Sequence, residues 1–188
     1  MHRKRMIDTF KDAEELGPYD EYPVLVSSVD PQLHLSRNDR PQPFYLICGK
    51  DTLLVQMSGT GTLVMKDSNV LHFALVPGDF VYVPAGTPHR LIPNGVSINH
   101  RYKAERAGLE GVSWYCPQCD KELHRDVWDT ASELPQEGYS RACARFNAEA
   151  GIRTCSSCGT QHPELDLRDF RWASVAKELR AAAEQKQS

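Results

Sequence analysis

Two pairs of cysteines carry the clearest chemistry in this chain: Cys116 with Cys119, and Cys155 with Cys158. Two residues separate the cysteines of each pair, so both thiolates of a tight turn can point at one ion. Two such turns supply the four sulfurs of a tetrahedral site. Pro117 shapes the first turn, and Gly159, directly after Cys158, can take a positive φ. The excursion between the pairs is long for a zinc ribbon, but closure entropy grows only slowly with loop length. Zinc and iron both suit four cysteines, and spacing does not separate them. The competing readings are two disulfides, or thiols packed as small apolar groups. Four protein ligands leave no open position for substrate, so an ion here is expected to be structural and to help fold a weak subdomain. Cys48 and Cys143 are unpaired and are read as packing residues.

A second signal is "GDFVYVPAGTPHRLIP", residues 78–93. It reads as a strand, a Pro-Gly corner, and then His89 directed into the mouth of a barrel. Either His89 is a metal ligand, or it is an ordinary histidine at that mouth. His72 and His100 are reserve donors, read more simply as surface or strand residues.

The elements that must position these residues are mostly strands. With 188 residues, 40% apolar and 25% charged, the chain can bury a core. A net charge of −3 gives no basic field for nucleic acid. No run approaches twenty apolar residues, so no membrane span is expected, and the start carries no apolar segment that would make it a secretory signal. A cytoplasmic protein is the simplest expectation, and six cysteines there are not read first as disulfides. A short helix is expected from Thr9 to Leu16. Strands are expected at "YPVLVSSV" (22–29), "PQLHLS", "FYLICG", "TLLVQMSG", "GTLVMK", "VLHFALV", "DFVYVP", "HRLIP" and "VSINHRYK". "GKD" at 49–51 and "KDSN" at 66–69 suit hairpin turns. The even spacing predicts a closed antiparallel barrel or sandwich. From Trp114 the chain turns Cys-rich with few strand runs, and Leu167, Phe170, Trp172, Val175 and Leu179 predict a C-terminal helix that frays near its end.

Gly78, Pro84, Gly86 and His89 fit the second cupin motif, except that Asn94 falls five rather than four residues beyond the histidine. Together with "FYLICG", "GLEGVSWYCPQC" followed by "LHR", and "RTCSSCGTQHP", this resembles the bacterial-type 3-hydroxyanthranilate 3,4-dioxygenases from about Pro43 to Pro163. The resemblance implies an all-β-dominated fold: a cupin jelly-roll barrel over residues 1–112, then a rubredoxin-like four-cysteine region with a terminal helix over 113–188. It also implies a catalytic Fe(II) in the barrel, held by two histidines and a glutamate, the facial triad of non-haem oxygenases.

The chain departs from that pattern. The second histidine matches His89, but Gln42 stands at the glutamate position and Ser36 at that of the first histidine. His34, two residues upstream, returns to place if the Pro-rich loop after it is an insertion. Gln42 offers an amide oxygen but no negative charge. Where the family grips its substrate with two arginines, this chain has Asp30 and Pro93, and His100 or Arg101 replaces a further glutamate. Arg90 and Arg101 are then the candidates to meet a substrate carboxylate.

Two functions follow from this reading, beside a blander third in which the chain is a structural dimer. The first is an Fe(II)- and O2-dependent oxygenase acting on a small aromatic or carboxylated molecule other than 3-hydroxyanthranilate, with His34 and His89 on the metal and Gln42 either a weak third ligand or a hydrogen-bonding neighbour of the ligands. The second is a cupin with a lost or altered barrel metal that binds a small molecule or performs non-redox chemistry. A homodimer is expected in either case, because barrels of this class pair through their edges and the strand at 22–29 offers one.

Overall fold

The computed structural model describes residues 5–184. Nine strands form one curled antiparallel sheet: β1 (Tyr22–Pro23), β2 (Gln32–Asn38), β3 (Tyr45–Cys48), β4 (Thr52–Met65), β5 (His72–Leu75), β6 (Phe80–Val83), β7 (His89–Lys103), β8 (Leu109–Tyr115) and β9 (Glu122–Asp129). The order is β1-β2-β7-β3-β8-β9, with β4 joining β7 to β5 and β6. This is the all-β cupin framework expected from the sequence. Helices are few: α1 (Thr9–Ala13), α2 (Pro135–Ala148), α3 (Ala150–Arg153) and α4 (Trp172–Glu184). None is long and apolar enough to cross a membrane. The expected C-terminal helix is α4, and any fraying beyond Glu184 lies outside the described residues.

β7 is the trunk, because it pairs with β2, β3 and β4. Its fifteen residues contain both of the short strands expected at "HRLIP" and "VSINHRYK". β4 likewise merges two expected strands across a bulge, with register shifts on either side of Ser58. Gly59 makes that bulge possible. Its φ is +70°, and a Cβ there would sit 2.4 Å from the Val96 carbonyl oxygen. In the sequence alone such a glycine looks like a break between two strands.

Strand alternation divides the sheet into two faces. Outward, Leu33, Leu35, Ile98 and Tyr102 pack under Ala13, Leu16, Val24 and Val175, which brings α1 and α4 onto the sheet. Inward, Leu46, Leu54, Leu63, Leu91 and Val112 build the main core. The open side of the curl is closed by α2, whose buried Tyr139, Ala142, Cys143 and Phe146 recur at i, i+3, i+4 and i+7. Pro135 opens this helix, and the Glu137 carboxylate accepts from the Leu134 backbone N–H at 2.9 Å.

Several expectations change. The strand at 22–29 shortens to Tyr22–Pro23 with one further bond from Val24, because the Gln32 side chain takes the Leu25 N–H at 3.0 Å and a turn at Val26–Val29 follows. That segment pairs within its own chain, with β2. "GKD" is not a hairpin turn, since β3 and β4 do not pair with each other: β3 pairs with β7 and β8, and β4 with β5, β6 and β7. "KDSN" does join the paired strands β4 and β5. The boundary drawn between residues 112 and 113 falls inside β8, and the sheet continues through β9 to Asp129. β9 and α2 occupy the stretch that the sequence showed as poor in regular runs.

Gly138 faces the buried ring of Trp128, and an added Cβ would lie 2.3 Å from the ring carbon Cε2. Alanine favours a helix interior by about 1 kcal/mol, while overpacking a tight core costs roughly 1–3 kcal/mol. Gly138→Ala is therefore expected to lower stability on balance, read as a lower urea midpoint with an unchanged m value.

Candidate metal centre and barrel site

The four cysteines converge. Their sulfurs all lie within 4.8 Å of one another, and among the described residues they are the one group of His, Cys, Asp and Glu with metal-ligand spacing. Cys116 and Cys158 are 3.5 Å apart, as are Cys119 and Cys155. A disulfide would be about 2.05 Å, whereas the edge of a tetrahedron with Zn–S bonds of about 2.3 Å is about 3.8 Å. All four are free thiols. This excludes the two-disulfide reading and fits a four-thiolate metal centre.

The two turns are built alike. In each, the backbone N–H of the first cysteine donates to the carbonyl five residues on: Cys116 to Lys121 at 2.8 Å, Cys155 to Thr160 at 2.9 Å. The carbonyl of that cysteine accepts from the residue four on, Asp120 at 3.0 Å and Gly159 at 2.9 Å. Both of those residues have positive φ, 60° and 74°. Asp120 thus takes the left-handed position that Gly159 takes in the other turn, a role the sequence did not suggest. Hydrogen bonds from the Thr160 hydroxyl and backbone bring the Cys158 thiol down to about 6, and backbone bonds from Cys158 and Ser157 lower Cys155. The Lys121 amide pulls Cys119 down, but its contacts with Cys158 and Cys155 outweigh this and leave it at about 12. Crowded thiols that cannot all ionise alone are relieved by a cation.

The barrel interior is arranged differently. His89 is fully buried; its Nδ1 bonds the Thr87 carbonyl at 3.0 Å, and its Nε2 faces Arg101 Nη1 at 2.5 Å. Arg101 Nε lies 3.0 Å from Glu21 Oε1. Tyr139, from α2, donates to Glu21 Oε2 at 3.2 Å. Next in line, Lys103 Nζ is 2.6 Å from Glu110 Oε1, with both side chains buried. Burial, and after it the charge of Arg101, push His89 down to about 3, so the ring is neutral with Nδ1 protonated and Nε2 accepting from the guanidinium. Burial pushes the Glu21 carboxyl up, but Arg101, Lys103 and His34 outweigh that and hold it at about 2.

The segment that delivers Glu21 is unusual. Tyr19 and Glu21 both have positive φ, 53° and 47°, a conformation that costs a non-glycine residue of order 1 kcal/mol or more. Surrounding bonds hold it: Asp20 is fully buried and bound by Arg171, and the Gln136 amide donates to the Asp20 and Glu21 carbonyls at 3.3 and 3.0 Å.

His34 stands directly opposite Arg101 in the β2–β7 ladder, and its charge reaches Glu21. The other expected residues have partners of their own. The Gln42 amide nitrogen donates to the Phe44 carbonyl at 3.1 Å. Arg90 follows His89 in β7, so alternation turns it to the outer face, where its Nε donates to the Gln42 carbonyl at 2.6 Å. His100 faces outward and contacts the Thr9 hydroxyl at 3.0 Å, and His72 is exposed on β5. Arg101 is inside the barrel but engaged by Glu21 and His89. The structure thus brings His34, His89 and Arg101 together, turns Arg90 to the outer face, and ties the buried Gln42 amide nitrogen to the Phe44 carbonyl. Ser36, Asn38, Gln56, Ser97 and Asn99 continue the inner face as a hydrogen-bonded ladder, with Asn99 donating to Gln56 at 2.6 Å and Asn38 to Asn99 at 2.9 Å.

Glu21, Lys103, Glu110 and Tyr139 were missed. One signal was available: Arg101 and Lys103 share a face of a strand, and two cations turned inward require carboxylates.

A divalent ion does not fit this interior. The lone pair that His89 would offer is already taken by Arg101. Arg101 and Lys103 already engage the two carboxylates, so a further +2 would have no counter-charge in this buried interior.

Comparison with known proteins bears on the origin of the arrangement. No family model matches the chain. It is 29% identical over 123 residues to the 3-hydroxyanthranilate 3,4-dioxygenase of Xanthomonas euvesicatoria, covering 64% of this chain and 66% of that protein. It is 32% identical over 89 residues to the enzyme of that name from Bacillus thuringiensis, covering 46% and 49%. The chain is a divergent relative of the 3-hydroxyanthranilate 3,4-dioxygenases. Its matches span about half to seven-tenths of those dioxygenases. Among solved structures it is similar to a cupin-2 domain protein from Shewanella frigidimarina (13% identity, TM-score 0.45, 53% of this chain and 93% of that one). It is also similar to hydroquinone 1,2-dioxygenase from Sphingomonas sp. TTNP3 (13%, 0.44, 50% and 71%).

The buried charges fix the acid response of this dioxygenase relative. His89 is lowered on folding, so its contribution is complete above the unfolded value near 6.5 and is lost as pH falls toward 3. Glu21 is also lowered, and its contribution is complete above about 4.5 and lost toward pH 2. Stability should fall below pH 6.5, by up to about 1.4 kcal/mol per pH unit from one such group, and more steeply once Glu21 titrates. His89→Gln should flatten the arm between about pH 6.5 and 4.5, read as the difference between variant and wild type in urea unfolding at each pH. A difference that does not change with pH in that window would refute the assignment.

Proposed function

We propose that the chain is a small-molecule-binding cupin of dioxygenase descent whose barrel operates without iron, with the four-cysteine centre holding a structural zinc or iron. One observation carries this reading: Arg101 Nη1 lies 2.5 Å from His89 Nε2 while its Nε lies 3.0 Å from Glu21. A covalently attached cation occupies the place from which a ligand histidine would address a metal. At the knuckles, Cys116, Cys119, Cys155 and Cys158 would hold the ion, which supplies cross-linking between two distant stretches of chain.

The same geometry disfavours non-redox catalysis inside the barrel. A general acid or base works best with a pKa near the working pH. Glu21 and His89 sit at about 2 and about 3, so neither exchanges protons readily at neutral pH. They hold each other and Arg101 in place instead.

The oxygenase reading, with Fe(II) and O2 acting on a small aromatic or carboxylated molecule, retains one supporting observation. His34, His89 and the Glu21 carboxylate all address the region of Arg101, and they would form a two-histidine, one-carboxylate set if that side chain left.

Metal analysis separates the two. The expected result is one ion per chain, lost in Cys155→Ser and retained in His89→Ala, with no ring opening of 3-hydroxyanthranilate after anaerobic loading with Fe(II). A second ion per chain that disappears in His89→Ala would overturn the iron-free barrel in favour of the oxygenase.

A further inference from the structure

A cleft of about 570 Å³ lies outside the barrel, between its outer face and the four-cysteine knuckles. Its walls include Pro43, Tyr45, Arg90, Trp114, Tyr115 and Phe170, and Cys116 of the metal centre also lines it. That volume lies in the range of small-molecule sites. We propose that this cleft binds a planar aromatic carboxylate, with the Arg90 guanidinium gripping the carboxylate and the aromatic walls enclosing the ring. The inference rests on the reading of the chain as a small-molecule-binding protein, and it locates the site and names the ligand class.

The charges lining the cleft pair off, with one left over. Arg40 is bound by Asp39 and Asp169, Asp120 by Lys66, Glu164 by Arg153, and Asp166 by Arg168. His162 bonds the Pro163 carbonyl through Nδ1 at 2.7 Å, and burial, reinforced by Arg90, lowers it toward the neutral form. Arg90 has no carboxylate partner among the described residues. Its Nε donates to the Gln42 carbonyl at 2.6 Å, which fixes the plane of the guanidinium. The group stands 5.9 Å from the centre of the Tyr45 ring, which stacking favours. What remains of the fork is a rigid two-pronged donor, suited to a carboxylate in the bidentate mode.

The rest of the cleft selects the body of the ligand. Tyr45 and Tyr115 meet edge to face, with ring centres 5.0 Å apart and an interplanar angle of 72°, and Lys66 lies over both rings. Trp114 is locked by a 3.0 Å bond from its Nε1 to the Pro43 carbonyl and by a stack on Phe146 at 4.2 Å. Rigid aromatic walls favour a flat arene over a flexible chain. Asp120, Glu164 and Asp166 on the rim disfavour a polyanion such as a polyphosphate, so a single carboxylate is the fitting charge.

Benzoate is the probe, titrated calorimetrically into the metal-loaded protein, with benzamide as its neutral counterpart of the same shape. The expected result is saturable benzoate binding that weakens roughly tenfold or more in Arg90→Gln, partly recovers in Arg90→Lys, and is weaker for benzamide in the wild type. Because Cys116 lines the cleft, benzoate should also perturb the thiolate-to-metal absorption of the cobalt-substituted protein. No binding, equal affinity for benzamide, or unchanged affinity in a folded Arg90→Gln variant would each overturn the site. The ion count per chain is read separately, so an Arg90-dependent benzoate site in a protein that carries two ions would keep this proposal and sink the iron-free barrel.

Discussion

Within the barrel, two carboxylates and two cations are buried side by side, with a neutral histidine closing the row. Taking such groups out of water costs several kcal/mol each, so the cluster is tolerable only when every charge meets its opposite. Glu21, Arg101, Lys103 and Glu110 satisfy that condition, and His89 and Tyr139 complete the contacts at one end. Removing one member would strand a charge, and for buried pairs that is worth about 3–5 kcal/mol. The strained backbone at Tyr19 and Glu21 and the closing of the sheet by α2 both serve this cluster: one brings in the carboxylate, the other brings in the phenol.

The need for charge balance also bears on the metal set expected from the sequence. A two-histidine, one-carboxylate site is a device for holding a divalent ion with one negative charge. Here the cation is an arginine of the trunk strand, and its carboxylate comes from the N-terminal segment rather than from the loop that carries Gln42. The neighbouring positions accord with an interior that has become a bonded scaffold. The amide and hydroxyl ladder of Ser36, Asn38, Gln56, Ser97 and Asn99 fills the inner face with partners for one another.

β7 organises both regions because a strand presents alternate residues to opposite sides. His89, Arg101 and Lys103 share the interior, while Arg90 reaches the outer cleft, where Cys116 marks the nearby metal centre. Adjacent residues in the sequence therefore belong to different sites. The knuckles are set apart from the barrel but joined to it by β8 and β9, so an ion bound there would fix the far wall of the cleft without touching the interior.

The four-cysteine centre was legible in the sequence because its geometry is local: each turn is closed by its own backbone bonds, and only the meeting of the two turns is long-range. The strand-rich framework was legible for the same reason, since period-two patterning survives in short windows. β4 and β7 were each read as two strands because Gly59 and the Pro93–Gly95 stretch resemble breaks until a partner strand holds them in register. α2 was missed although its apolar spacing was present, because Gly138 and scattered charges mask a helix whose reason for forming is the Trp128 ring beneath it. What the chain by itself could not show was the partner of each buried charge. Glu21 and Arg101 are eighty residues apart in sequence, and nothing local marks either as buried. Only the fold places them 3.0 Å apart, turns Arg90 away from His89, and so puts a guanidinium beside the histidine that the sequence pattern marks as a metal ligand.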